Sequence, residues 1–353
     1  MKKNQLFGLT CIALFALVAF GVMTAPVVAQ DDKVVVGIDL AHNAYHARAD
    51  DLHSIFGTLE DWGYEYKNLT SAFTAADLAD VDILLTMNPD SKNATFDFTQ
   101  AEIDAVAAWM DEGAKGLWAC GDSDYADEDG DVAKKINVLL EAAGSNILVE
   151  QASIESTLNA DAAYRVRPGN YTDDEYVNEH FYAGTFSINK TTFFHGPAPV
   201  LGVDSEGNMV ALESNQEFFD EYNVFPIVQA VNGNWTADNE IYESSLTRGS
   251  LEGLKYQVHE LSSTGAFMMM AAQRYVGEAG TSKVVVSGEV IFSDYKEMFS
   301  DADEYDNPSN NKILVKNTLA WLSAEEAKSA PGFEVLLVLA GLVALVPIVR
   351  RRR

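Results

Sequence analysis

The feature that most constrains this chain is an alternation of short apolar runs with amphipathic segments between Lys33 and Asp122. "KVVVGID" is an apolar run that ends in Asp39 and reads as a buried strand. Leu52, Ile55, Phe56, Leu59 and Trp62 then recur at helical spacing, and Gly63 stops the helix. "YEYKNL" is a second strand, and "TAAD" at Thr74 carries the capping-box pattern of a short helix. "DILLTMNPD" is a third strand running into a proline turn. "TQAE" at Thr99 opens another capped helix, with Ile103, Val106, Ala107 and Met110 on one face and Gly113 at its end, before the fourth strand "GLWAC". Strands and helices alternating at this spacing predict an α/β fold with a doubly wound, mostly parallel, flavodoxin-like sheet. Such sheets bind ligands at the carboxyl ends of their strands. Those ends carry Asp39 and His42, Asn88 and Asp90, and Cys120, Gly121 and Asp122.

"VAKKINVLLEAAG" continues the pattern as a helix leading to the strand "NILVE", which closes a first α/β part over 33–150. Residues 151–264 read differently. "FFHGPAPVLGV", "NMVALES", "FPIVQAV" and "EIYESS" are short strands joined by polar turns, as in a β-rich insertion. The α/β pattern resumes over 265–322, where "AFMMMAAQRYV", "GEAGTS" and "KVVVSGEVIF" predict a hairpin. Met268 to Met270 belong to its buried filling. "DNPSNNKILVKNTLAWL" predicts a helix that returns Leu314, Trp321 and Leu322 to the sheet.

The two ends address the chain rather than fold it. Lys2 and Lys3, the apolar run Leu6 to Val22, and Val27 and Ala29 at a small-residue site read as a signal peptide over 1–29. After a linker at 323–330, Phe333 to Val349 is apolar but for Glu334 and is followed by Arg350 to Arg353. As a helix it just spans a bilayer, with the arginines on the cytoplasmic side. The body is therefore expected outside the cell. Pro331, Gly332 and Phe333, the apolar stretch and the basic end together resemble the archaeal PGF-type C-terminal sorting signal. That resemblance implies that a membrane protease-transpeptidase exchanges the tail for a lipid anchor. The usual long Thr/Pro-rich spacer is absent, so retention of a transmembrane helix stays open. Either way the membrane is a partner, and the domain is tethered close to it.

Charge narrows the remaining partners. The whole chain has 24 basic and 53 acidic residues, and residues 30 to 330 keep 18 and 52 of them. Such a surface repels nucleic acid and anionic lipid and attracts cations or basic partners, besides keeping the protein soluble. Cys11 lies in the leader, so Cys120 is the one thiol of the body and stability must come from the core. Asn68, Asn93, Asn170, Asn189 and Asn234 stand in Asn-x-Ser/Thr sequons, which an exported chain offers for glycosylation.

The order of "GIDLAHN", "DILLTMNP", "FTQAEIDAVAAWMDEG", "GLWACGDSD", "INVLLEAAG" and "VVVSGEVIFSD", closing on "DN" and a helix ending "WL", resembles the class I glutamine amidotransferase-like fold. It is most similar to the non-catalytic branch found in gliding-motility and intraflagellar-transport proteins. In active members of that family the nucleophile sits in a G-x-C-x-G elbow, and Cys120 falls at that point. Trp118 and Asp122 replace the elbow glycines, and the family's late H-x-E has no counterpart. A nucleophile also needs a lowered pKa, which the neighbouring acids oppose. The resemblance therefore implies an exported, surface-anchored module that binds a ligand, glycan or protein in a cleft of Asp39, His42, Asn88, Gly121, Asp122 and Glu289, without turnover. Two alternatives stay open: a cysteine-dependent hydrolase or amidotransferase using Cys120 with His42 or His195 as base, and an accessory subunit of a membrane transporter.

Two cation readings complete the candidates. "DYADEDGD" matches part of a calcium loop, but Tyr125 holds the first ligand position and Ile136 stands where the bidentate glutamate belongs. A looser Ca2+ cage from Asp122, Asp124, Asp127, Asp129 and Asp131, faced by Asp301, Asp303 and Asp306, is the surviving form. His42 and His46, four residues apart, could bind zinc with Asp50.

Overall fold

The apolar runs form strands where burial on both faces demands them. The computed structural model describes residues 33–42, 49–89, 96–122, 132–156, 162–167, 170–171, 174–184, 192–237, 256–259, 264–295, 298–299 and 309–324. In chain order these begin with β1 (Val35–Asp39), α1 (His53–Asp61), β2 (Glu65–Leu69), α2 (Ala75–Leu78), β3 (Ile83–Met87), α3 (Gln100–Asp111), β4 (Gly116–Cys120), α4 (Val132–Ala142) and β5 (Ile147–Val149). Shorter elements follow: β6 (Ser153–Ser156), β7 (Arg165–Val166), β8 (Asn170–Tyr171), α5 (Glu175–Phe181), β9 (Phe194–His195), β10 (Val200–Val203), β11 (Met209–Ala211) and α6 (Gln216–Tyr222). Two long strands, β12 (Val224–Ala237) and β13 (Thr264–Val276), precede β14 (Ser282–Ser287) and α7 (Asn311–Ser323).

One nine-stranded sheet organises the molecule, in the order β2-β1-β3-β4-β14-β13-β12-β6, with β8 also paired to β12. The strands from β2 to β14 are parallel, and those beyond β14 are antiparallel. Every residue of β3, β4 and β14 is buried, as expected of strands covered on both faces. Ile38, Leu85, Trp118, Cys120 and Val285 leave one face and pack with Ile55 and Leu59 of α1 and Leu314, Leu319 and Trp321 of α7. Leu84, Leu117, Ala119, Val284 and Val286 leave the other and pack with α2, α3 and α4. The doubly wound arrangement follows from that alternation. Both expected capping boxes form, at Thr74 with Asp77 and at Thr99 with Glu102. Gly113 closes α3 at φ +87°, a left-handed turn that glycine adopts without strain. On α3, Ala105 and Trp109 join Ile103, Val106 and Met110 in the core, while Ala107 stays half-buried.

The segment read as a β-rich insertion shares this sheet. β12 and β13 pair over most of their length, and β13 makes the expected hairpin with β14. Met270 lies opposite Ser287 at the end of β14, so Thr264 to Met269 run on past the carboxyl ends of the parallel strands as a projecting arm. Met268, Met269 and Met270 are buried in its base. β5 leaves the alternating pattern: it pairs antiparallel with β10 in a separate sheet of β11, β10 and β5. The place beside β4 that a further parallel strand would take belongs to β14. β5 packs instead over one face of the sheet, from Asn146 beside Gln273 to Val149 at the carboxyl edge, which fills the space that a side chain on Gly121 would need.

α7 runs back to the opposite edge. The Lys283 ammonium, near the start of β14, donates to the carbonyls of Trp321 and Ala324 at 2.7 Å each. Gly116, first in β4, lies against Leu322 so closely that a Cβ would sit 2.9 Å from it. Among the described residues no helix is long and apolar enough to cross a membrane. The leader at 1–29 and the apolar stretch 333–349 lie outside them.

Candidate functional site

A buried polar cluster forms where β1 ends. Asp39 leads the chain out of the sheet, and its carboxylate accepts from the Ala41 amide at 3.0 Å and the Thr86 hydroxyl at 2.8 Å. It also faces Nδ1 of His42, at 2.7 and 2.8 Å. The other ring nitrogen, Nε2, lies 3.4 Å from Oε1 of Glu102. Glu102 is the capping-box residue of α3, so one carboxylate holds the helix start and the imidazole together. It accepts from the Thr99 amide and hydroxyl and from the Phe73 amide, at 2.8 to 3.0 Å. Phe98 and Phe73 flank the His42 ring, with centroids at 4.1 and 5.6 Å. Burial pulls the His42 pKa down, but the hydrogen bond and charge of Asp39, helped by Glu102, outweigh it and leave the pKa raised. Both ring nitrogens thus face carboxylates.

Asn88, two residues beyond Thr86, sits on the same face of the sheet. Its backbone amide donates to the Cys120 carbonyl, and its side-chain Oδ1 is buried with no hydrogen-bond partner among the described residues. Asn88 therefore keeps one acceptor at this edge that the described residues leave unused.

Cys120 belongs to the other face. Thr86 pairs with Ala119 and Met87 with Cys120, so the side chains of Asp39 and Thr86 leave one face and the thiol leaves the opposite one. The thiol is fully buried, and its Sγ lies 3.4 Å from Ser287 Oγ. The Ser287 hydroxyl is 2.8 Å from the Glu289 carbonyl and accepts from the Trp118 indole at 3.0 Å. Burial pushes the thiol pKa far above its ordinary value, and the nearby Glu289 carboxylate adds to the rise. Glu289 itself is wholly buried and accepts from the Val290 amide.

The edge between β4 and β14 is filled by the chain itself. Ala198 donates its amide to the Gly288 carbonyl at 2.9 Å, and a Cβ on Gly288 would collide with the Ala198 carbonyl. Pro197 and Pro199 on either side accept from Ile154 and Glu150. Gly288 is thus covered by the strap 197–199 and Gly121 by Val149; Glu289 is buried, and Asp122 is half-exposed. His195 precedes the strap, with its ring 5.1 Å from Tyr295.

His46, Asp90, Asp124, Asp127, Asp129, Asp131, Asp301, Asp303 and Asp306 lie outside the described residues, as do Asn93 and Asn189. Among the described residues, no three His, Cys, Asp or Glu side chains are grouped to hold a metal ion. Asp50 is exposed in a single 3-10 turn, and Asn68 is exposed on the outer strand β2. Asn170 lies in β8 and Asn234 in β12.

A second carboxylate-imidazole-carboxylate cluster has no counterpart among the sequence motifs. His259 Nδ1 is 2.6 Å from Glu150 Oε2, and Nε2 is 3.3 Å from Glu213 Oε2. Glu150, at the end of β5, also accepts from the amides of Val258 and His259, and Glu213, after β11, accepts from the Met268 amide. Desolvation lowers the His259 pKa, but the bonds to Glu150 and Glu213 raise it to about 10. The imidazolium staples the smaller sheet to the base of the β12–β13 arm. An acid ending a buried apolar strand was the one local hint; its partners lie more than sixty residues away along the chain.

No family model matches this sequence, and no curated protein matches it either. Among solved structures, the fold is similar to the mmIFT52 N-terminal domain, with a TM-score of 0.50 and 13% identity over 83% of this chain and 99% of that one. A Thermoplasma acidophilum protein described as part of a GMP synthase superposes with a TM-score of 0.35 and 7% identity, over 82% of this chain and 94% of that one.

Proposed function

We propose that this chain is an exported, surface-anchored binding module of amidotransferase-like fold that engages a polar ligand, glycan or protein without turning it over. The observation that carries the reading is the separation of the two candidate catalytic groups. His42 and Cys120 leave opposite faces of the sheet, and each is held by other partners. A thiolate nucleophile needs a nearby base or a lowered pKa, and Cys120 has burial and a carboxylate instead. Val149 against Gly121 and the strap 197–199 over Gly288 take the volume that a substrate carbonyl would need. What remains at the strand edge is recognition chemistry: the Asn88 acceptor and the half-exposed Asp122 favour ligands that donate hydrogen bonds or carry positive charge. The acidic surface supports cationic over nucleic-acid partners.

Thiol labelling tests the absence of turnover. With the native chain near neutral pH, mass-spectrometric mapping should find the Cys120 peptide unmodified, whereas in denaturant it should label fully. Rapid modification of the native protein would refute the non-catalytic reading and restore the cysteine-dependent hydrolase. The acidic loops are proposed to hold Ca2+, which predicts heat and a raised melting temperature when calcium is titrated in; neither response would remove that assignment.

A further inference from the structure

We infer that the domain stands on its anchor with the carboxyl edge of the sheet, and the projecting β12–β13 arm, turned away from the membrane. The inference rests on the proposed C-terminal anchor and adds to it a direction. The chain leaves the described fold at Ala324, whose carbonyl is bound by Lys283 near the amino end of β14. Leu322 lies on Gly116 at the amino end of β4, so the tether departs from the amino edge of the parallel strands. The polar cluster of Asp39, His42 and Asn88 is at the other edge, and the arm extends past it.

Reach decides between this pose and its inverse. From Ala324 to Pro331, where the anchoring stretch begins, the tether has seven residue steps, about 25 Å when fully extended. β13 has 13 residues, which at a strand's rise makes it about 40 Å long. Val276 pairs with Ser282 at the amino edge, and the arm's first residue, Thr264, lies at the far end. An inverted domain would need its exit point about 40 Å above the lipid, which a tether of about 25 Å cannot supply. Surface chemistry agrees. Tyr275, among the most exposed large apolar side chains at 47%, sits at the amino edge on a bulge with φ +66° that turns its ring outward. Tyrosine is favoured at the headgroup level of a bilayer. The strand-edge site therefore meets a partner in the external medium rather than lipid or a subunit embedded in the same membrane.

Fluorescence transfer on the full chain in lipid vesicles tests the pose, with a headgroup acceptor and a donor on one introduced cysteine. Glu278→Cys and Asp61→Cys mark the amino edge; Ser71→Cys and Ala72→Cys mark the carboxyl edge, and all four sites are exposed. Higher transfer from both amino-edge labels supports the inference, and equal or higher transfer from the carboxyl-edge labels overturns it. Flotation of the same samples keeps the two claims apart: protein that stays out of the vesicle fraction refutes the anchor, whereas floating protein with the reverse transfer order refutes the direction alone.

Discussion

Replacing His259 with glutamine isolates the staple between the smaller sheet and the arm. In the folded protein the imidazole is held between Glu150 and Glu213, and its pKa moves from 6.5 to about 10. A group whose folded pKa is raised stabilises the fold fully below its unfolded pKa, and loses that contribution as pH climbs through the folded value. Fully counted, the shift corresponds to about 5 kcal/mol. The His259 side chain is 13% exposed, and water screening brings the expected contribution to about 2–4 kcal/mol. Urea unfolding of wild type and His259→Gln at pH 6, 8 and 10 reads it directly. At pH 6 the variant should be less stable, because Glu150 is left buried without its cation. The gap should close by about 2–4 kcal/mol between pH 6 and pH 10 as the wild type loses its proton. Parallel pH profiles, with a gap constant to within about 0.5 kcal/mol, would show that His259 carries no bound charge in the fold and that the staple is not ionic.

Two further substitutions probe the strand edge and the outer face of β2. Gly288→Ala places a methyl group against the Ala198 carbonyl and should cost about 1–3 kcal/mol by overpacking, read as a lower melting temperature; an unchanged melt would mean that the strap 197–199 does not press on the strand edge. Asn68→Gln should lower the mass of the protein recovered from its own cells by one glycan, since this sequon lies exposed on β2; an unchanged mass would exclude modification there.

The parallel half of the fold was legible because its information is local. Apolar runs such as "DILLTM" and "GLWAC" are buried on both faces, and the capping residues Thr74 and Thr99 set the helix starts. The antiparallel half was less legible. The register of β12 against β13 is set across a long separation and includes bulges, so its extension into an arm left no periodic trace. β5 has the composition of any buried strand, and only the occupancy of β4's edge by β14 sends it to another sheet. At the site, Asp39, His42 and Asn88 were read as strand-edge residues from their positions alone. Glu102 was read only as a helix cap, since nothing in its spacing marks it as the partner of an imidazole sixty residues earlier. That His42 and Cys120 lie on opposite faces was not legible: the two-residue period alternates the faces within each strand, but only the register of β1, β3 and β4 sets Asp39 and Cys120 on opposite ones.

The docking of α7 also has a mechanical consequence. In the proposed anchored form, a pull delivered through the C-terminal segment would arrive at Ala324 and be taken first by the Lys283 ammonium, with its two carbonyl acceptors, and by Leu322 wedged on Gly116. Such a load would enter at the rim of the molecule and peel the last helix from the sheet before shearing any strand from its neighbour, which would make the final turn of α7 the fuse of the proposed anchored form.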